Sequence, residues 1–299
     1  AGIDNYMRLG YYIEPKTAYQ GIRQVLPGKY EIHHINKKSY SENTYWDPKD
    51  ALSKKAEPIS TEEGLVLLGA AVKSHSMKDN SVSMGTFLSG GVDSTFITSL
   101  LQSEIPYFET FSAGFDLPNF NEIPQAERTA SLLGIGNNSV KIGKEILFRA
   151  REVSDIYGAP FSDNAALPTY EIAKLAREKG VKVVLSGDGA DELFFGYRNH
   201  YAMFMENKIK RHIPENSIRN TFFSILGDTY PNSALMPRFL RAKSTLKSLS
   251  LPLGVSYWEA MSMASREQLD LIYTDSFKRR LNNREKTEIE FETIASEFD

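Results

Sequence analysis

The 299-residue sequence contains no cysteine. Disulfides, thiolate metal sites and cysteine nucleophiles are therefore excluded from these residues. Histidine is scarce too: His33, His34, His75, His200 and His212 show no zinc-type spacing. The adjacent pair would face opposite ways on a strand, so no histidine metal site is expected. Also missing is any uninterrupted apolar run near the roughly 18 residues that a bilayer span needs. Ala1 to Arg8 lack the basic-then-apolar order of a secretion signal, so a cytoplasmic chain without membrane contact is expected. Charge of one sign is not in excess, with 35 basic against 38 acidic residues, and no nucleic-acid partner is expected. The tail clusters Lys278-Arg279-Arg280 and Glu288-Ile289-Glu290 read as solvated helical surface. Oligomeric state is not legible, and a homo-oligomer stays open.

Residues 1–55 are rich in tyrosine, proline and lysine, and Pro15, Pro27, Gly28 and Pro48 interrupt any long periodic segment. They read as a linker with short strands such as Lys29 to Ile35. The packed domain is expected over 56–299. Ser60 and Glu63 have capping-box spacing there, and Leu65, Leu68 and Val72 form a helical stripe. An uncharged strand, Val82 to Leu88, leads through a glycine turn into a helix with Phe96, Ile97, Leu100 and Leu101 on one face. The alternation continues with a strand at Tyr107 to Ala113, a helix at Pro124 to Leu133 and a strand at Asn138 to Ile142. Helices at Lys144 to Tyr157 and Thr169 to Lys179 follow, then a β-branched run, Val181 to Leu185, suited to a central strand buried on both faces. Strands alternating with helices imply an α/β fold with a doubly wound parallel sheet. Beyond Leu193 the pattern is mainly helical, with candidates at Ser217 to Leu226, Ser256 to Met263 and Arg266 to Tyr273.

The first chemical motif is Leu88-Ser89-Gly90-Gly91-Val92-Asp93-Ser94, between a strand and a helix. Adjacent glycines let the backbone turn tightly and aim several N–H groups into one concavity, to which the helix N-terminus adds positive potential. Such a nest suits phosphate oxygens, with the Ser89 and Ser94 hydroxyls as further donors. Asp93 is out of place beside phosphate unless a cation lies between the two negative charges, which points to Mg²⁺. A plain helix-capping turn, with Asp93 or Ser94 as N-cap, is the alternative. The Walker ending Gly-Lys-Ser/Thr is absent, so no phosphate-cradling lysine is expected here.

The second motif is Ser186-Gly187-Asp188-Gly189-Ala190-Asp191-Glu192, after the Val181 to Leu185 strand. Ligands of open parallel sheets bind at the carboxyl ends of strands, so both motifs should converge there. Asp188, Asp191 and Glu192 lie within five residues, and such like charges repel unless a metal, cation or proton offsets them. Alternatively, Asp188 and Asp191 satisfy turn N–H groups while Glu192 opens the next helix.

The first motif resembles the Ser-Gly-Gly-x-Asp-Ser pyrophosphate loop of the N-type ATP pyrophosphatases, of adenine nucleotide alpha hydrolase-like fold. Both motifs together resemble the asparagine synthetase family, whose members carry a Ser-Gly-(Asp/Glu)-Gly-x-Asp-Glu segment. Phe111-Ser112-Ala113-Gly114-Phe115 with Asn121-Glu122, and Ala166-Leu167-Pro168-Thr169-Tyr170, match as well. Gly10-Tyr11-Tyr12-Ile13-Glu14-Pro15-Lys16-Thr17 and Leu26-Pro27-Gly28-Lys29-Tyr30 resemble the linker between that family's glutaminase and synthetase domains. The resemblance implies a glutaminase domain upstream, beyond Ala1. The family's glutaminase uses an N-terminal cysteine, so glutamine hydrolysis is not expected in this chain.

The resemblance further implies ATP-dependent amide formation. A carboxylate, aspartate first among candidates, would be adenylated with loss of pyrophosphate, and ammonia would attack the acyl-AMP. It assigns Ser89, Gly90, Gly91 and Ser94 to the phosphates, Asp93 and Asp191 to Mg²⁺, Asp188 to ammonia attack or proton removal, and Glu192 to its support. Leu88, Ser112, Ser186 and Gly187 resemble nucleoside-contacting positions. Two departures stand out. Phe194-Phe195-Gly196-Tyr197 replaces a common Phe-Gly-Gly-Tyr, and no Asp-x-Leu-x-Lys-x-Asp-Arg segment occurs before Asp299. A different acceptor carboxylate, or a nucleotide-binding module without turnover, is the competing expectation.

Overall fold

Ser60 begins the first long helix, Thr61–His75, through a reciprocal cap. Its hydroxyl accepts from the Glu63 amide at 3.1 Å, while the Glu63 carboxylate accepts from the Ser60 amide at 2.8 Å. Two otherwise orphaned donors are thereby satisfied, an arrangement that contributes about 1 kcal/mol. The computed structural model describes residues 2–52, 57–76, 82–213, 217–230 and 243–282. The chain divides into two compact units, Val25–Leu193 and Ala1–Gln24 with Phe194–Asp299.

The first unit holds both sheets found among the described residues. Strands β1 (Lys29–His34) and β2 (Ser39–Thr44) form an antiparallel hairpin. Strands β3 (Met84–Phe87), β4 (Glu109–Phe115), β5 (Asn137–Ile142) and β6 (Val183–Leu185) pair in parallel, in the spatial order β5-β4-β3-β6. The first three of these step outward in one direction. The chain then returns past β3 and adds β6 on its other side, which places a topological switch between β3 and β6. In open parallel sheets, the crevice beyond the carboxyl ends of such a pair is where ligands bind.

Connecting helices match the alternation expected from the sequence: Val92–Glu104, Ile123–Leu133 and Ala166–Glu178. The Ala166–Glu178 helix packs on Phe111, fully buried on β4 and clustered with Ala176, Val181, Ile172 and Val184. A second cluster joins Leu88, at the end of β3, to Ala126 and Ala130 of the Ile123–Leu133 helix. A hydroxyl pair also ties helix to sheet, Thr86 Oγ1 to Thr98 Oγ1 at 2.9 Å, with both residues fully buried. Thr98 in turn donates to the Ser94 carbonyl at 2.7 Å, so neither buried hydroxyl is left unmet.

Three expectations need correction. The run Val181 to Leu185 is not a central strand: only Val183–Leu185 pairs, its residues are half-buried, and it forms an edge of the sheet among the described residues. A short β-branched run fits any covered strand, whatever its place in the sheet. The segment Lys144 to Tyr157 is not one helix but a 3₁₀ stretch, Lys144–Arg149, followed by an α-helix, Ala150–Tyr157. Leu147 and Phe148 stay exposed there, so the segment lacks the packed face that sustains an α-helix. The opening residues are not only a connecting region, since Gly2–Leu9 is helical.

That helix is short enough that periodicity gave no signal, and its stability comes from packing within its own unit. Buried Arg8 reaches the Glu259 carboxylate at 2.7 Å, and its guanidinium lies 5.4 Å from the ring centre of buried Trp258. Nearby, Lys210 pairs with Glu206 at 2.7 Å, and Ser256 and Ser248 supply further partners. The helices Ser217–Thr229, Leu253–Met261 and Arg266–Ile272 agree with the helical reading beyond Leu193. The acidic cluster Glu288-Ile289-Glu290 lies outside the described residues. No helix of the described residues is long and apolar enough to cross a membrane.

Phe111→Ala would remove the ring on which sheet and helix pack, at a cost of about 3–5 kcal/mol. The urea unfolding midpoint should fall accordingly. A midpoint within error of the wild type would show that Phe111 does not centre this core.

Candidate functional site

Register between β3 and β6 brings the two sequence motifs level. Met84 pairs with Val183, Gly85 with Val184 and Thr86 with Leu185, so both chains leave the sheet side by side. Beyond the sheet the segments touch. A Cβ added at Gly187 would sit 2.9 Å from the Ser94 nitrogen, 3.0 Å from the Asp93 carbonyl carbon and 3.1 Å from the Asp93 Cβ. Only glycine permits that approach, because two of those neighbours are backbone atoms.

The first motif folds into a tight turn that leads directly into a helix. Gly90 adopts φ +79°, and the helix Val92–Glu104 begins with Gly91 as N-cap. The alternative in which Asp93 or Ser94 caps the helix is therefore overturned. Both lie in the first helical turn, past the cap, and the cap position makes no side-chain hydrogen bond. Hydroxyls organise the loop: Ser89 Oγ and Ser94 Oγ lie 2.9 Å apart, and Ser94 Oγ accepts from the Ser89 amide at 3.2 Å. The Gly91 amide donates to Ser89 Oγ at 3.2 Å. Exposed Asp93 carries its carboxylate beside this turn.

In the second motif, the Ser186 hydroxyl donates to Asp188 Oδ2 at 2.9 Å and accepts from the Asp188 amide at 3.4 Å. The Asp188 carboxylate thus accepts from a hydroxyl, where the alternative reading had it satisfying a turn N–H. Gly189, at φ +88°, turns the chain into a short helix, Ala190–Phe194, with Asp191 and Glu192 in its first turn. Glu192 therefore opens a helix, as that alternative had it, where the positive end of the helix favours a carboxylate.

Leu88 and Ser112 form the floor. Each is 1% exposed. Ser112 Oγ donates to the Leu88 carbonyl at 2.7 Å and to Asn137 Oδ1 at 2.9 Å, the two geometries sharing one proton. The Leu88 amide donates to the Phe111 carbonyl at 2.8 Å, which extends the β3–β4 ladder to the lip of the loop.

Phe195 has φ +58° and is 71% exposed, with its ring centre 5.6 Å from that of His200 in an edge-on arrangement. The left-handed region favours glycine, so a bulky residue there is strained. The side chain packs on the surface and not in a core.

Two residues escaped the sequence reading. Asn137 receives both Thr110 and Ser112 hydroxyls. Gln125, exposed on the Ile123–Leu133 helix, reaches the Gly90 carbonyl with its Nε2 at 2.6 Å. Its partner lies 35 residues away, and a local pattern carries no trace of such a pairing. Just before it, partial desolvation pushes the Glu122 carboxyl above the usual glutamate range.

Among the described residues no group of three or more His, Asp or Glu converges as a metal cluster. The arrangement sets the Ser89 and Ser94 hydroxyls and two loop amides beside the exposed Asp93 carboxylate.

A family model described as asparagine synthase matches residues 65–290. The glutamine-hydrolysing asparagine synthetase 1 of Bacillus subtilis (strain 168) is 33% identical over 266 residues, 85% of this chain and 38% of that protein. Amidase chyE of Penicillium rubens is 30% identical over 208 residues, 62% of this chain and 30% of that protein. This chain thus spans less than half the length of these curated relatives. Among solved structures, an NMN synthetase from Francisella tularensis is similar at a TM-score of 0.34 and 19% identity, over 47% of this chain and 59% of that one.

Gly187→Ala would push the two segments apart, since the contacted Asp93 and Ser94 backbone cannot rotate away. Affinity for inorganic pyrophosphate, read by calorimetry, should fall about tenfold or more, roughly 1.4 kcal/mol, while the protein stays folded. Unchanged affinity would separate the Gly187 contact from anion binding.

Proposed function

The chain belongs to the asparagine synthase family, and on that premise we propose that it is an ATP-dependent carbon–nitrogen ligase portion that adenylates a carboxylate and passes the acyl group to ammonia. The observation that carries this reading is the contact of Gly187 with Asp93 and Ser94, which joins a phosphate-type loop to a carboxylate-bearing segment at the switch of a parallel sheet.

The substrate carboxylate attacks the α-phosphorus of ATP. The bond to the bridging oxygen breaks, and pyrophosphate leaves with its electron pair. An acyl-AMP remains, a far better acyl donor than a carboxylate whose leaving group would be oxide. Ser89, Gly90, Gly91 and Ser94 bind the β and γ phosphates with N–H and O–H donors held in place beforehand, which stabilises the charge that builds on the departing pyrophosphate. Asp93 and Asp191 would hold Mg²⁺. Two carboxylates plus phosphate oxygens are a donor set that this ion accepts, so the residues present fit it. When bound, the ion supplies charge neutralisation at the phosphates.

Ammonia then attacks the acyl carbon, a proton leaves the nitrogen, and AMP departs to give the amide. Asp188, positioned through the Ser186 hydroxyl, is the proposed group for that proton, with Glu192 in support. Leu88, Ser112, Ser186 and Gly187 shape the nucleoside end of the site. Aspartate is the proposed acceptor, and asparagine the product. The B. subtilis relative, a glutamine-hydrolysing asparagine synthetase, supports both that choice and a glutaminase domain as ammonia source in the whole protein. A cytoplasmic setting accords with ATP as substrate.

With MgATP, ammonium and aspartate, the chain should release AMP and pyrophosphate in step with asparagine. Asp93→Asn should lower ATP–pyrophosphate exchange by about a hundredfold or more, the order of effect of removing one charge-stabilising group, with the fold intact by circular dichroism. Asp188→Asn should leave exchange largely in place and slow amide formation. Normal exchange in folded Asp93→Asn would remove the metal assignment. ATP bound without turnover, under any tested acid, would leave a nucleotide-binding module instead.

A further inference from the structure

The Gly90–Gly91 peptide has two orientations available to it. Carbonyl and N–H point in opposite directions across a trans peptide, and glycine accepts either sign of φ without steric penalty. One orientation turns the N–H of Gly91 toward the Ser89 and Ser94 hydroxyls. The other would put a carbonyl oxygen there, where it repels an anion. In this structure the Gly90 carbonyl accepts from Gln125 Nε2 at 2.6 Å, and the Gly91 amide donates to Ser89 Oγ at 3.2 Å. Gln125 also crowds Gly90 from outside: a Cβ there would lie 2.6 Å from Gln125 Cγ, 2.8 Å from its carbonyl carbon and 2.9 Å from the Ala126 nitrogen.

Helix position explains why Gln125 can act in this way. It stands in the first turn of Ile123–Leu133, where its own amide and that of Ala126 donate to the Glu122 carbonyl at 3.1 and 3.0 Å. Below, Ala126 and Ala130 pack on buried Leu88, which fixes the helix against the root of the loop. The amide of Gln125 is therefore delivered by a rigid element.

We propose that Gln125 is a positioning residue for the phosphate loop: its side-chain amide locks the Gly90–Gly91 peptide with the carbonyl turned outward and the N–H turned toward a bound pyrophosphate group. The inference rests on the reading of this loop as a phosphate site. Gln125 touches no substrate in this account and acts only through the orientation of the peptide.

The test uses the full chain, with Gln125→Leu, which keeps bulk and removes the donor, and Gln125→Glu, which keeps shape and replaces the donor with a carboxylate. Calorimetry with inorganic pyrophosphate and with MgATP should show binding weaker by about two- to tenfold in Gln125→Leu, the worth of one ordinary hydrogen bond. Gln125→Glu should lose more. In exchange assays the KM for ATP should rise by the same factor, while kcat, the KM of the carboxylate and the melting temperature stay at wild-type values. A structural role alone would move the melting temperature and leave the KM split absent. Wild-type affinity for both probes in Gln125→Leu would overturn the inference. Wild-type chain that binds pyrophosphate but runs no exchange would sink the ligase reading alone, and chain that binds neither probe would sink both.

Discussion

Gly187 against the Asp93–Ser94 backbone is the contact on which the rest of this site depends. It exists because β3 and β6 are hydrogen-bonded neighbours in parallel, so the residues that follow each strand emerge at the same height. Any side chain at 187 would wedge the two exits apart. The sheet and the missing Cβ thus act together, one supplying proximity and the other allowing closure.

Around that contact the loop is held by hydrogen-bonded hydroxyls beside the small apolar cluster of Leu88, Ala126 and Ala130. Thr86, Thr98 and Ser94 form a chain of hydrogen bonds running from the sheet into the helix start, and Ser112 and Asn137 secure the other side. Buried polar groups left unmet would cost about 1–3 kcal/mol each. Such networks hold one arrangement where an apolar floor would tolerate several.

Electrostatics point the same way. Backbone N–H groups at the start of Val92–Glu104 favour anions, yet Asp93 occupies that first turn and Asp191 and Glu192 occupy the next helix start. Carboxylates and an anion at one place are compatible when a cation lies between them. Each of these carboxylates also stabilises its own helix end, in the absence of any ligand.

Much of this was written locally. Ser60 and Glu63 announced a helix start, the alternation of uncharged runs with helical stripes announced a parallel sheet, and the glycines of Ser89 to Ser94 and Ser186 to Glu192 announced two turns at the ends of strands. Local pattern could do so because caps, periodicity and turn glycines depend on neighbours within a few residues. It could not show that Val183–Leu185 lies at an edge of the described sheet, that Gly2–Leu9 is helical, that Phe195 is left-handed, or that Gln125 reaches Gly90. Those facts depend on partners tens to hundreds of residues distant, such as Glu259 for Arg8. By itself the sequence determined most of the strands and helices of the alternating region and the places of its glycine turns. Tertiary structure alone decided which turn meets which and which way a peptide faces, because long-range packing and hydrogen bonding select among conformations that local propensity leaves nearly equal.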